Sequence, residues 1–294
     1  MTAVAAAASV QEAAVACPLC GGATSLWHRL PHARAQRCAA PACGLRFAAP
    51  QPDDTALRDA YRTLYYPGAD AALGGAPRAC RVDWDETPPG TLEELIADLA
   101  RRLGRAEGAR LLDYGCGRGA LGRIALASGF DAVGVEPDDE ARRAAVRDAG
   151  LRTYPGIGTL RDAEPDARFD AISIWQVIEH LRRPWEDLEA LCALLAPDGL
   201  LVIATPNAAC LRARLEGARW ENVANPTHLY YFTEVSLRRL IDASGLDPVD
   251  RLALPAVYPH HGQLRRRVQD LLRARRLDGD IALVARPRRD AARG

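Results

Sequence analysis

The sequence predicts an α/β fold: a doubly wound, largely parallel sheet preceded by a small module stapled by a metal ion. Three observations carry this. From residue 91 onward, short apolar runs alternate with helical patterns, as in successive β-α-β units. One run ends in a turn with glycine at alternate positions, Leu111–Gly119 (LLDYGCGRG), and a helical pattern, Ala120–Ser128, starts directly behind it. Four of the eight cysteines cluster near the N-terminus, while the other four are scattered singly.

The Ala-rich opening, residues 1–16, lacks the basic start and long apolar core of a signal peptide and reads as a disordered tail. Cys17-Pro-Leu-Cys20 and Cys38–Cys43 then form a C-x2-C and a C-x4-C turn, each followed by glycine. Two such turns can close a tetrahedron of thiolates around one ion, which predicts a zinc ribbon over residues 17–50. A closed set of four ligands makes that zinc structural; the alternative is four unrelated buried cysteines. Short strands are expected at Ser25–Leu30, Ala35–Arg37 and Leu45–Phe47. Residues 51–90 read as a helix (Leu57–Tyr66) and a Gly/Pro-rich linker (Pro67–Pro89). Tyr61, Tyr65 and Tyr66 are expected to pack against the main domain rather than touch substrate.

The main domain is placed at residues 91–286. Thr91–Leu103 carries a helical apolar stripe (Leu92, Leu95, Ile96, Leu99, Leu103) with Thr91 as N-cap. In the turn that follows the first strand, Gly115, Gly117 and Gly119 let the backbone pass close to a ligand. Gly117–Gly122 (GRGALG) formally satisfies the dinucleotide pattern G-x-G-x-x-G, so a dinucleotide is one reading. Against it, the strand ends in Asp113, and a carboxylate there suits a cationic amino group. Glu136 closes the next apolar run, Ala132–Val135, where a ribose diol would be gripped. An ammonium together with a ribose describes S-adenosylmethionine.

Further strands are expected at Leu151–Tyr154, Phe169–Trp175, Leu200–Thr205, Asp250–Leu254 and Ile281–Ala285. Helices are expected at Asp138–Ala149, Pro184–Leu195, Ser236–Ser244 and, strongly basic, Leu264–Arg276; residues 287–294 form a basic tail. The loop Gly156–Arg168 holds one possible short helix. LLDYGCGRG…VGVEP, the QVIEHL that follows Phe169–Trp175, and LLAPDGLLVIATPN together resemble the class I S-adenosylmethionine-dependent methyltransferases, without a break over Leu111–Asn207. The zinc-ribbon pattern, CGLRFAAPQP and the following Tyr pair resemble the N-terminal module of bacterial methyltransferases that tailor small molecules and glycans. The resemblance implies a seven-stranded Rossmann-like sheet in the order 3-2-1-4-5-7-6. It also implies a cofactor site of Asp113, Tyr114, Gly115, Cys116, Gly117, Gly119, Glu136, Pro137, Trp175 and Gln176, with Asp162 the nearest acid for the adenine amino group. Cys116 then fills a slot that needs a small residue and is not a nucleophile.

Zero formal net charge gives no bulk attraction to nucleic acid or anionic membrane, and no apolar run reaches bilayer length. A cytoplasmic enzyme acting on a small molecule or sugar is therefore expected. Methyl transfer to an alcohol needs a base within hydrogen-bond reach. Of the six histidines, His28 and His32 fall between the cysteine turns, and His260 and His261 precede the basic helix. His180 follows the fourth strand, where a structural role competes with catalysis. His228 lies in NPTHLYYFT, which resembles a segment that closes over the cofactor's reactive end in related methyltransferases. His228 is the candidate base, with substrate positioning or a structural role as alternatives. Trp220, Tyr230 and Tyr231 are candidates for the acceptor pocket, and each is also an ordinary core residue. The leading expectation is O-methylation. Alternatives are C-methylation of a nucleotide-linked sugar, or protein or nucleic-acid methylation with the ribbon as adaptor.

Overall fold

The computed structural model describes residues 15–65, 90–252 and 263–288. Most of the expected tail (1–16), the Pro67–Pro89 linker, Tyr66, His260, His261 and most of the basic tail lie outside these residues. The main sheet has seven strands: β4 (Arg110–Tyr114), β5 (Asp131–Val135), β6 (Arg152–Tyr154), β7 (Phe169–Trp175), β8 (Leu195–Pro206), β10 (Leu246–Arg251) and β11 (Asp280–Pro287). Their order, β6-β5-β4-β7-β8-β11-β10, is the expected 3-2-1-4-5-7-6. The first five are parallel, whereas β11 runs antiparallel to both β8 and β10.

Alternation along each strand feeds two cores, because successive side chains leave opposite faces. Leu111, Ala132, Ala171, Leu200 and Val202 meet Leu95, Ile96 and Leu99 of helix α2 (Thr91–Leu103) and Leu121 and Ala125 of α3 (Ala120–Ala127). Leu112, Val133, Ile172, Leu201 and Ile203 meet the other layer: α5 (Ile157–Ala163), α6 (Pro184–Cys192) and α7 (Glu234–Ala243). Between them in sequence, α4 (Asp139–Ala149) packs Ala145 into the first layer and starts on the Asp138 side chain, which accepts from the Ala141 amide at 2.8 Å. The chain leaves β4 toward β5 and later returns to its other side at β7. That reversal opens a crevice at the carboxyl ends of the central strands.

Several elements differ from expectation: α6 ends at Cys192 rather than Leu195, and β8 already starts at Leu195 rather than Leu200. Gly90, with φ +86°, takes the N-cap of α2, and Thr91 is already buried in the first turn. The strand expected at Asp250–Leu254 is β10 at Leu246–Arg251. Pro248 argues against a strand there, but β10 is the sheet edge, where a missing N–H is tolerated.

The N-terminal strands β1 (Thr24–Arg29), β2 (Arg34–Cys38) and β3 (Arg46–Ala49) form an antiparallel sheet, followed by α1 (Asp54–Tyr65). Its fourth strand comes from the main domain: β9 (Tyr230–Tyr231) pairs with β3, Arg46 opposite Tyr231 and Phe47 opposite Tyr230. Among the described residues, no helix is long and apolar enough to cross a membrane.

Candidate active site and cysteine cluster

Asp113 sits one residue before the end of β4, is 3% exposed, and accepts no hydrogen bond among the described residues. Burial, and then the charge of Glu136, push its pKa up to about 7. Glu136, at the tip of β5, accepts from the Gly117 and Asp138 amides at 3.0 Å each, so it ties the glycine turn to the neighbouring strand. Its pKa is also raised by burial, against those two amides. Two adjacent buried carboxylates, one of them without a hydrogen-bond partner among the described residues, suit a bound cation.

The turn between them is held by the Gly115 and Cys116 amides, which both donate to the Val135 carbonyl. Gly115 has φ +78°, and a Cβ there would stand 2.3 Å from Val177 Cγ2. Gly115→Ala should therefore destabilise the fold by about 1–3 kcal/mol and weaken cofactor binding, read by thermal denaturation and calorimetry. The Cys116 thiol packs on Gly134, and burial raises its pKa, so it is inert. Gly119, at φ +84°, opens helix α3. The Tyr114 hydroxyl donates to Asp187 at 2.6 Å, which fastens β4 to α6. The Pro137 carbonyl accepts from Arg142. Asp162 stands exposed on α5 with no hydrogen bond or ion pair among the described residues.

Across the crevice, β7 ends at Trp175, which is half-buried, and Gln176 adopts φ +55°, a strained value for a residue with a side chain. Its amide donates to Asp280 Oδ1 at 3.2 Å. The short turn Ile178–His180 then delivers Glu179 and His180. The His180 ring shares Nδ1 with the Thr227 carbonyl at 3.0 Å and lies edge-on to His228, ring centroids 4.6 Å apart. The Asn225 side chain accepts from the Thr227 amide and hydroxyl, shaping the turn that presents His228, and the Leu229 amide donates to the Glu179 carbonyl. Donor atoms of Glu179, His180 and His228 all lie within 4.8 Å of one another.

Burial brings His180 down to about 4, and burial followed by the neighbouring His180 holds His228 well below the ordinary imidazole value. Both rings are therefore neutral at pH 7. At His228 the Asn222 backbone works against that shift without overcoming it, and a neutral imidazole keeps a lone pair on one nitrogen. Glu179, 2% exposed, accepts from the Thr205 hydroxyl at 2.9 Å and is pushed up to about 8 by burial. The cluster can take up a proton, and its donors are also of the types a divalent cation accepts.

The acceptor candidates separate. Trp220 is 2% exposed, in a satellite core with Ala213, Val223 and Tyr231. Tyr230 donates to the Arg182 carbonyl, and among the described residues the Tyr231 hydroxyl has no hydrogen-bond partner. Tyr61 faces His180 with ring centroids 5.7 Å apart. Sequence reasoning did not single out Glu179 or Asp280. Glu179 was legible as the acid beside His180, but Asp280 reaches the crevice only because β11 enters antiparallel beside Pro206.

In the N-terminal module, Cys17 Sγ and Cys43 Sγ are 3.7 Å apart, and Cys20 Sγ and Cys38 Sγ are 3.5 Å apart. All four sulfurs lie within 4.8 Å of one another, and none is in a disulfide. Zinc–sulfur bonds of about 2.3 Å in a tetrahedron put sulfurs roughly 3.8 Å apart, so the cluster fits a tetrathiolate ion. Burial raises the Cys17 and Cys43 thiols, whereas at Cys20 the Gly22 amide and neighbouring thiols outweigh burial and bring it down to about 7.

A family model described as a methyltransferase domain matches residues 89–251. A ubiquinone biosynthesis O-methyltransferase of Cereibacter sphaeroides (strain ATCC 17025) is 32% identical over 185 residues, which are 58% of this chain and 72% of that protein. Among solved structures, a Burkholderia thailandensis 1,6-didemethyltoxoflavin-N1-methyltransferase with bound S-adenosylhomocysteine superposes with a TM-score of 0.52 at 20% identity, covering 83% of this chain and 95% of that one. Magnesium protoporphyrin IX methyltransferase from Synechocystis PCC 6803 gives 0.50 at 16% identity, over 82% and 99%. At such identities the two structures speak for the fold, whereas the family match spans more than half of the chain. With the strand order, the glycine turn and the paired acids in place, this chain belongs to the class I S-adenosylmethionine-dependent methyltransferases.

Proposed function

We propose that the enzyme O-methylates a small molecule or sugar, with His228 as general base. The observation that carries this is the buried His228 ring, edge-on to His180 and with its donor atom within 4.8 Å of those of Glu179 and His180. The relatives named as ubiquinone biosynthesis O-methyltransferases support an oxygen acceptor. In this reading Asp113 binds the cofactor's ammonium, Glu136 its ribose, and the glycine turn admits it closely. The bound cofactor supplies a methyl group already activated on a sulfonium. The protein then has to align the acceptor, exclude water and take the hydroxyl proton on His228. Incubation with labelled S-adenosylmethionine and a panel of hydroxylated small molecules and sugars, with the product's methyl position read by NMR, tests this. An O-methyl product is expected; an N- or C-methyl product overturns it.

The four N-terminal thiolates are proposed to hold one structural zinc. Metal analysis of the purified protein should find about one zinc per chain, lost in Cys43→Ser. A zinc-free wild-type protein that melts at the same temperature refutes the ribbon. Thiolate binding would supply the folding energy that a four-stranded sheet of this size lacks on its own.

A further inference from the structure

The seam between the N-terminal sheet and the segment after β8 gathers positive charge that no acid balances. Arg37 and Arg46 lie directly opposite on β2 and β3, an unfavourable arrangement for like charges. Arg214, on the six-residue helix Leu211–Glu216, is the third member. The charges of Arg37 and Arg214 act on Arg46, and burial is the main reason its pKa falls to about 10. Among the described residues, none of the three has an ion pair with a carboxylate. Arg46 donates to the Ala208 carbonyl and lies over the Trp27 ring at 4.4 Å, and Arg214 donates to the Ala209 carbonyl.

Two orphaned polar atoms complete the picture. Among the described residues, Arg46 Nε and the Tyr231 hydroxyl are buried without a hydrogen-bond partner, on residues that face each other across β3 and β9. Trp27 touches both side chains, its ring 5.7 Å from that of Tyr231. Tyr231 itself is 3% exposed. Buried donors are left unmade at a cost, unless something else supplies the acceptor. Arg37 and Arg214 are exposed, so their guanidiniums can meet a phosphate from solvent.

We infer that Arg37, Arg46, Arg214 and Tyr231 form a binding site for a phosphate group. Three guanidiniums match a dianion better than a single carboxylate, and phosphate oxygens accept from both guanidinium forks and a hydroxyl.

The test uses the full chain and inorganic pyrophosphate, followed by calorimetry at low ionic strength. Wild-type protein should bind it, with Arg37→Gln and Arg214→Gln each weakening the affinity by about tenfold. Both residues are exposed, so neither substitution should disturb folding, and Arg123→Gln on a remote helix should leave the affinity within about twofold. The affinity for S-adenosylmethionine, measured on the same samples, reports separately on the methyltransferase site and should not change. Absence of pyrophosphate binding, or equal binding by Arg37→Gln, Arg214→Gln and wild type, overturns the phosphate site and leaves the assignment of the cofactor crevice untouched.

Discussion

Asp113→Asn is expected to abolish useful affinity for S-adenosylmethionine while leaving the protein folded. Removing one member of a buried charge pair costs about 2–5 kcal/mol, or roughly 30-fold to several thousand-fold in Kd. The fold itself should not suffer. The folded state raises the pKa of Asp113 to about 7, so above that pH the ionised side chain disfavours the cofactor-free fold. Its replacement by a neutral amide removes that penalty, and the melting temperature at pH 8 should be unchanged or higher. Calorimetry and thermal denaturation on the same variant separate the two effects. A retained affinity would place the cofactor elsewhere.

The same raised pKa sets a pH dependence. As pH falls through 7, Asp113 takes a proton and loses its attraction for an ammonium group. The wild-type Kd should therefore rise about tenfold between pH 8 and pH 6, and the trend should vanish in Asp113→Asn. Glu136→Gln is a different test, because both Glu136 oxygens already hold backbone amides of the turn. That variant should loosen the turn as well as the cofactor.

His228→Asn should lower kcat by about 10²–10⁴-fold with the affinity for S-adenosylmethionine within twofold. Burial and the adjacent His180 hold His228 far below the ordinary imidazole pKa, so it stays deprotonated as pH falls toward 6. The acid limb of the rate profile at subsaturating cofactor should accordingly follow Asp113 and disappear when the cofactor is saturating. A variant that keeps its turnover would reduce His228 to a structural role, with His180 as the ring it supports. A rise in KM for the acceptor at constant kcat would mark it as a positioning residue.

The fold was readable because its strands are marked at both ends. Leu111–Asp113 and Ala132–Glu136 are apolar runs closed by an acid, and glycine or a helix follows each. The four cysteines were readable from spacing alone, since few arrangements other than a metal need two such turns. The acceptor side was not readable in the same way. Trp220 and Tyr231 sit in the same closed core, yet among the described residues the Tyr231 hydroxyl has no hydrogen-bond partner. Only the packing of β3 on β9 decides between them. Asp162, chosen for its place after the third strand, is turned outward by the helical phase of α5, whose inward residue is Leu160. Arg46 escaped notice because nothing in a short strand of the N-terminal module announces a partner 160 residues or more away.

The strand shared between β3 and β9 also bears on how the two halves came together and how far they can be parted. Cut the molecule at Gly90, and the backbone amides and carbonyls of Tyr230–Tyr231 lose their neighbour, while Leu229, Tyr230 and Phe232 lose the apolar cover of Leu45 and Phe47. A bare edge of that kind seeks another edge, and the nearest one belongs to a second molecule. The N-terminal piece is thus not luggage carried by an independent enzyme, and shuffling it between scaffolds would have to bring the short strand Tyr230–Tyr231 along with it.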